Sequence, residues 1–275
     1  MINFQVDEDL CTQCGDCVRD CRLEILELDK NNYPRIRQER DAFCIQCQHC
    51  LAVCPTAALS IHNKNPKNSL EFGEAVGLDF GQMKLLIQKR RSIRQYENAN
   101  VDQLILKDIL SALSNVPTGG NNHKLTFVVI DNIQTMKSFL QRATSLLSET
   151  VRKGEKPDDW FIANAAPLFL QNGPDTIFHG APHLLIGCSP LSIYTAREDV
   201  IISLAYFELL AQSAGLGTVW FGMGKSMLEA VPELKRMINL PENTFYYPLL
   251  FGYPAVSYHR SVQRDDAIRI NRVDL

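Results

Sequence analysis

From Met83 onward the apolar positions fall by turns at helical and at strand spacing. Met83 to Arg91 reads as a short helix, and Val101 to Val116 carries Leu104, Ile105, Ile109, Ala112 and Leu113 on one helical face before Pro117 closes it. Leu125 to Ile130 is a β-rich run, Ile133 to Leu147 is amphipathic through Met136, Phe139, Leu140 and Ala143, and His183 to Gly187 is a further strand. Asp199 to Ala214 is the strongest helical pattern, with Gly215 in the left-handed capping role; strands at Thr218 to Phe221 and near Phe245 to Phe251 follow. Such an order predicts an α+β sandwich with a central mixed sheet.

The first sixty residues follow another rule, because cysteines punctuate them. After Ile61 comes a polar, turn-forming stretch from His62 to Ser69 that cannot bury a core, then a Gly-punctuated connector from Leu70 to Gln82. The expected organisation is a cluster domain over 1–62, a linker over 63–82 and a larger domain over 83–275. With 45% hydrophobic and 21% charged residues the 275-residue chain has an ordinary globular composition, and a net charge of −3 leaves no electrostatic footprint for nucleic acid. The most apolar helix pattern is interrupted by Glu208 and Gln212, so no membrane span is expected. Acidic residues where a signal peptide would need a basic start point to a cytoplasmic protein.

Eight of the nine cysteines form two runs of spacing C-x2-C-x2-C-x3-C: Cys11, Cys14, Cys17, Cys21, and Cys44, Cys47, Cys50, Cys54. This is the bacterial ferredoxin pattern, in which three thiolates wrap one cluster and the fourth closes the other. It assigns Cys11, Cys14, Cys17 and Cys54 to one 4Fe-4S cluster, and Cys44, Cys47, Cys50 and Cys21 to a second. Paired C-x2-C units also bind structural zinc, but four ligands per ion give no reason for a third regularly spaced cysteine. Pro55 follows the second run, whereas Arg22 follows the first, and a cation there is expected to raise one cluster's potential relative to the other. Asp7, Glu8, Asp9, Asp16, Asp20, Glu24, Glu27 and Asp29 crowd the first run, forming either a solvated surface or a docking face.

Three segments of the larger domain carry candidate chemistry. Arg90-Arg91-Ser92-Ile93-Arg94-Gln95-Tyr96 places guanidinium forks and a hydroxyl suited to phosphate oxygens at a helix end. Pro117-Thr118-Gly119-Gly120-Asn121-Asn122-His123 is a turn whose glycines allow close backbone approach and whose amides can read a ring edge. Gly215-Leu216-Gly217-Thr218-Val219-Trp220-Phe221-Gly222-Met223 follows the strong helix, and Gly252-Tyr253-Pro254 with Arg260 and Arg264 lies further on. Taken in this order, these segments resemble the FMN-dependent nitroreductase family over nearly all of Met83 to Arg272.

The resemblance implies FMN phosphate and ribityl contacts from Arg90, Arg91, Ser92 and Arg94, completed by Arg260 and Arg264. It implies ring-edge contacts from Asn121, with Pro117, Thr118 and His123 in the same turn, and backbone approach to the reactive flavin nitrogen at Gly222 and Met223. A homodimer with FMN at the subunit interface is also implied, with Pro117 to Asn121 reaching across from the partner. Where many members carry Gln-Pro-Trp after the Asn, this chain has His123-Lys124-Leu125. Cys188 reads as a buried small hydrophobe, and His179 and His183 as structural histidines.

Together the halves imply an iron-sulfur flavoprotein that passes electrons from two clusters to FMN and reduces a nitroaromatic, quinone or similar electron-poor organic substrate. An external electron donor, a ferredoxin or NAD(P)H, is open to it; no G-x-G-x-x-G follows a strand, but the resemblance implies that nicotinamide can dock directly on flavin without that fingerprint. The competing reading is a non-enzymatic electron carrier or redox sensor with the same cofactors. Reductive dehalogenation and flavin-dependent dehydrogenation remain compatible with the pattern.

Overall fold

The computed structural model describes residues 2–72, 77, 79–264 and 268–274. The chain divides into two compact units: residues up to Gly77 together with Gly120–Asn122, and the remainder. Positions 73–76 and 78 of the expected connector lie outside the described residues.

The first unit is built from very short elements, β1 (Phe4–Val6), α1 (Asp16–Arg19), β2 (Leu26–Leu28), β3 (Pro34–Ile36), α2 (His49–Ala52) and β4 (Leu59–Ile61). β1 pairs antiparallel with β4, Phe4 facing Ile61, and β2 with β3, Leu26 facing Ile36. Leu26, Leu51, Leu59 and Ile61 bury a small core together with Cys17 and Cys50. So few apolar side chains support a fold only weakly, and domains of this size need a staple such as a bound metal centre.

The second unit contains α3 (Phe80–Lys89), α4 (Gln103–Ala112), β5 (Thr126–Ile130), α5 (Ile133–Arg152), α6 (Ala166–Asn172), α7 (Asp175–Phe178), β6 (His183–Pro190), α8 (Ala196–Ser213), β7 (Gly217–Trp220), α9 (Gly222–Ala230), α10 (Pro232–Met237) and β8 (Thr244–Gly252). The sheet order is β5-β6-β8-β7, and every ladder in it is antiparallel. The parallel component of the expected mixed sheet is one bridge, Ser92 to Thr218, made by the segment entering along β7.

Strand alternation sorts the core onto two faces. Leu184, Ile186 and Cys188 of β6 and Leu250 of β8 join Met136, Phe139, Ala143 and Leu147 of α5 with Phe169 and Phe178 on one side. Leu185, Leu249 and Phe251 join Val200, Leu204, Phe207 and Ala211 of α8 on the other. Helices therefore cover both faces, which makes β6 apolar on alternate residues in both directions. α5 starts where the Asn132 side chain accepts the N–H groups of Gln134 and Thr135, and it runs a turn beyond its expected end. α8 ends as expected: Gly215 has φ 80°, and Leu216 N–H returns to the Ala211 carbonyl at 2.8 Å. No helix among the described residues is long and apolar enough to cross a membrane.

Candidate functional site

In the first unit, Cys11, Cys14, Cys17 and Cys54 line one cavity with apolar Val6, Pro34 and Leu59. Burial pushes the Cys17 thiol up to about 11, with further upward pressure from Cys54, Cys14 and Cys11. Burial likewise pushes Cys50 up to about 12 and raises Cys44; the thiols acting on both include Cys47 and Cys21. Cys54 of the second run thus lies with Cys11, Cys14 and Cys17 around one cavity, while Cys21 of the first run acts on both Cys44 and Cys50, with Cys17 acting on Cys50 as well. Such thiols resist ionisation until a cationic centre draws the proton off, so the donor set fits an iron-sulfur cluster. Among the described residues no group of His, Cys, Asp and Glu is arranged for a single metal ion, and none of the nine cysteines is in a disulfide.

Both fourth cysteines receive a backbone N–H from four residues on, Ile25 to Cys21 and Ala58 to Cys54, each at 3.3 Å. The αL residues Gly15 and Gln48 turn the chain into α1 and α2, which bring Cys17 and Cys50 inward. Arg22 is exposed.

The second unit gathers three distant segments around a cleft of about 390 Å³. Lys89 and Arg91 come from the end of α3 and beyond it, Gly215 to Thr218 from the start of β7, and Pro254, Ser257 and Tyr258 from the segment after β8. The register is set by the backbone: Ile93 N–H donates to the Thr218 carbonyl at 2.8 Å, Glu97 N–H to Tyr253 at 2.9 Å, and Ala255 N–H to Gln95 at 2.9 Å. Gly217 is required here, because a Cβ would stand 2.5 Å from Ile93 Cγ1. Two cations, two serines and a tyrosine beside apolar Leu86, Ile93 and Leu216 fit a ligand with an anionic end and an uncharged body.

The remaining expected residues are distributed more widely. Arg90 pairs with Glu208 at 3.3 Å, and Ser92 sits on the bridge to Thr218. Arg94 is exposed, and its charge acts on His179, whose pKa is lowered by burial and then by Arg94. Arg260 and Arg264 are exposed on the non-helical segment after β8, and Pro117 and His123 are exposed in the turn. Thr118 Oγ1 accepts the His123 N–H at 3.2 Å. Asn121 belongs to the first unit and donates to the Ile45 carbonyl at 2.9 Å. Gly222 and Met223 open α9, and Met223 packs against the core.

The polar residues of α8 were not among the expected site residues. Asp199, 2% exposed, accepts the Gly119 N–H at 2.9 Å and the Thr195 hydroxyl at 3.0 Å. Glu208, 7% exposed, accepts from Arg90, from the Thr218 hydroxyl at 3.1 Å and from the Trp220 indole at 3.2 Å. Gln212 donates to the Leu86 carbonyl at 3.0 Å and lines the cleft. One helix thereby anchors both the arginine segment and the glycine turn. Charged and amide groups interrupting an otherwise apolar helix are the sequence signal for it, since buried charge needs specific partners.

The fold and site define a redox protein in which a dicluster cysteine unit is joined to an α+β sandwich carrying a basic cleft. The profile of the nitroreductase family matches residues 87–253, and that of the 4Fe-4S dicluster domain residues 10–59; the chain belongs to the nitroreductase family. A ferredoxin of Pyrobaculum islandicum is 42% identical over 55 residues, 20% of this chain and 49% of the ferredoxin. An iodotyrosine dehalogenase 1 homolog of Caenorhabditis elegans is 29% identical over 180 residues, 61% of this chain and 53% of its own. The chain thus spans about half the length of each of these relatives. A nitroreductase from Bacteroides fragilis solved with bound FMN shares the fold at a TM-score of 0.56 and 19% identity, covering 70% of this chain and 99% of that one.

Proposed function

We infer that the chain is an FMN-dependent oxidoreductase that receives electrons at two 4Fe-4S clusters in residues 1–62 and reduces a flat, electron-poor organic substrate, such as a nitroaromatic or quinone. Residues 63–82 connect this domain to the FMN-binding domain, 83–275. The observation that carries the reading is the meeting of Arg91, Gly215 to Thr218 and Pro254 to Tyr258 around one basic cleft. When bound, the clusters carry single electrons and FMN collects them in pairs for transfer to substrate.

The chain's own residues supply binding and position. Arg91 and Lys89 offer charge-assisted hydrogen bonds to a phosphate, and Ser257 and Gln212 offer neutral donors to a polyol. Glu208 holds Arg90 and the start of β7 in register. Leu86, Ile93 and Leu216 exclude water beside them. A homodimer and an external donor, a ferredoxin or NAD(P)H, complete the reading.

Anaerobic visible spectroscopy with flavin and metal analysis tests it. About eight iron and one FMN per chain are expected; zinc without flavin overturns the assignment. Arg91→Ala, and Arg94→Ala combined with Arg264→Ala, are expected to lose FMN and keep iron. Rapid anaerobic oxidation of the reduced protein by nitroaromatics or quinones separates the enzyme from a mere electron carrier. Similarity to the C. elegans dehalogenase homolog favours adding a halogenated phenol to that panel.

A further inference from the structure

The first unit is an internal repeat, with each cysteine of the first run recurring 33 positions on: Cys11 and Cys44, Cys14 and Cys47, Cys17 and Cys50, Cys21 and Cys54. Its backbone repeats at the same interval. Gln13 and Gln46, Gly15 and Gln48, and Glu24 and Ala57 all have positive φ. The N–H to sulfur bonds at Cys21 and Cys54 repeat as well.

Two side-chain contacts to sulfur depart from this symmetry, the longer being Thr56 Oγ1 at 3.9 Å from Cys54 Sγ, where the first half has Leu23. His62 Nε2 lies 3.5 Å from Cys44 Sγ. The equivalent position in the first half is Asp29, whose Oδ1 instead accepts the backbone N–H groups of Asn31 at 2.8 Å and Tyr33 at 2.9 Å. An aspartate has no proton to offer a sulfur. The histidine is also held in place: it follows β4, its own N–H donates to the Asn3 carbonyl at 2.8 Å, and its φ is 52°.

A thiolate that ligates iron carries no proton, so the ring nitrogen must be the donor in this pair. Reduction adds negative charge to the cluster and its sulfurs, and a hydrogen bond donated to a ligand sulfur strengthens as that charge grows. We propose that His62 sets the potential of the second cluster, its Nε2–H donating to the Cys44 sulfur and raising that cluster above the first. Arg22 follows Cys21, which groups with the same cluster, and acts in the same direction; being exposed, it is screened by solvent, whereas the His62 contact is direct. The proposal rests on the two-cluster reading above.

The test is an anaerobic potentiometric titration of the full chain at one fixed pH, followed by electron paramagnetic resonance. Wild type is expected to show two reductive steps. His62→Leu removes the donor, and the higher step moves to lower potential while the other stays, narrowing the gap. His62→Gln keeps a donor of similar reach and recovers part of the gap. His62→Phe, a ring without a donor, repeats the measurement if leucine costs iron binding. An unchanged gap in a donor-less variant that retains both clusters, or equal movement of both steps, overturns the proposal. Wild-type iron well below eight per chain overturns the two-cluster reading itself and the proposal with it.

Discussion

Glu208 Oε1 stands 3.3 Å from Arg90 Nη1, and the carboxylate also accepts the Thr218 hydroxyl and the Trp220 indole N–H. Three donors from two segments, the one after α3 and β7, thus compensate one charge inside an otherwise apolar helix. Glu208→Ala leaves a guanidinium and two further donors without their acceptor. Breaking a buried pair from one side costs about 3–5 kcal/mol, and Arg90, with its side chain 33% exposed, places the expected loss toward the lower end. Glu208→Gln keeps an acceptor and is expected to lose less. Urea unfolding followed by tryptophan fluorescence measures both. Flavin content is expected to fall alongside, because Arg91 is the next residue after the anchored one.

Gly119 meets Asp199 through its N–H and Thr195 through its missing side chain. A Cβ on Gly119 would lie 2.2 Å from Thr195 Oγ1 and 2.7 Å from Thr195 Cβ. Gly119→Ala is therefore expected to destabilise by about 1–3 kcal/mol, the range for forced overpacking. Thr195→Gly clears the offending atoms, so the double variant is expected to recover part of that loss. A double-mutant cycle on unfolding free energies reads the coupling directly; strict additivity contradicts the steric account.

The helices and strands of the second unit were legible where one face was apolar, as in α5, or where a cap was explicit, as at Gly215. The short α6, α7, α9 and α10 were not, because their apolar residues follow no clean period over so few turns. The dicluster unit was legible from the spacing of the two cysteine runs. Of the flavin-binding residues expected from motif order, Arg91 lines the cleft, whereas Gly222 and Met223 open α9 and Arg90 faces Glu208. Sequence separation hid that: residues 90 and 208 meet only because the segment after α3 runs along β7 beside α8. Motif order identifies which segments matter, but only packing decides which arginine lines the cleft.

His183 is fully buried, and the Val101 N–H donates to its Nε2 at 3.0 Å, so that nitrogen carries no proton. Burial lowers the His183 pKa below its ordinary 6.5. The unfolded chain then binds the proton first as pH falls, so the stability contribution is complete above about pH 6.5 and is lost on acidification toward the folded pKa. His179 is lowered as well and adds to the same limb. His183→Gln supplies a carbonyl in place of the ring nitrogen. It is expected to flatten the loss of stability between pH 7.5 and 5.5, by at most about 1.4 kcal/mol per pH unit. Urea midpoints across that range, followed by the two tryptophans of the second unit, provide the check; an unchanged slope assigns the acid limb elsewhere.

The proposed exchange of fourth ligands between the two cysteine runs has a sharp consequence for paired substitutions. Cys17 is influenced by Cys54, Cys14 and Cys11, and Cys44 by Cys47 and Cys21. If each cluster takes its fourth thiolate from the other run, Cys21→Ser with Cys44→Ser damages only the second cluster. About four iron per chain then remain, with one reductive step. Cys11→Ser with Cys21→Ser alters only the first run, yet it damages both clusters. Ligation of each cluster by its own run predicts the opposite pattern, with the first pair losing both clusters and the second pair losing one. Iron analysis of the two double variants distinguishes the schemes without requiring any enzymatic assay.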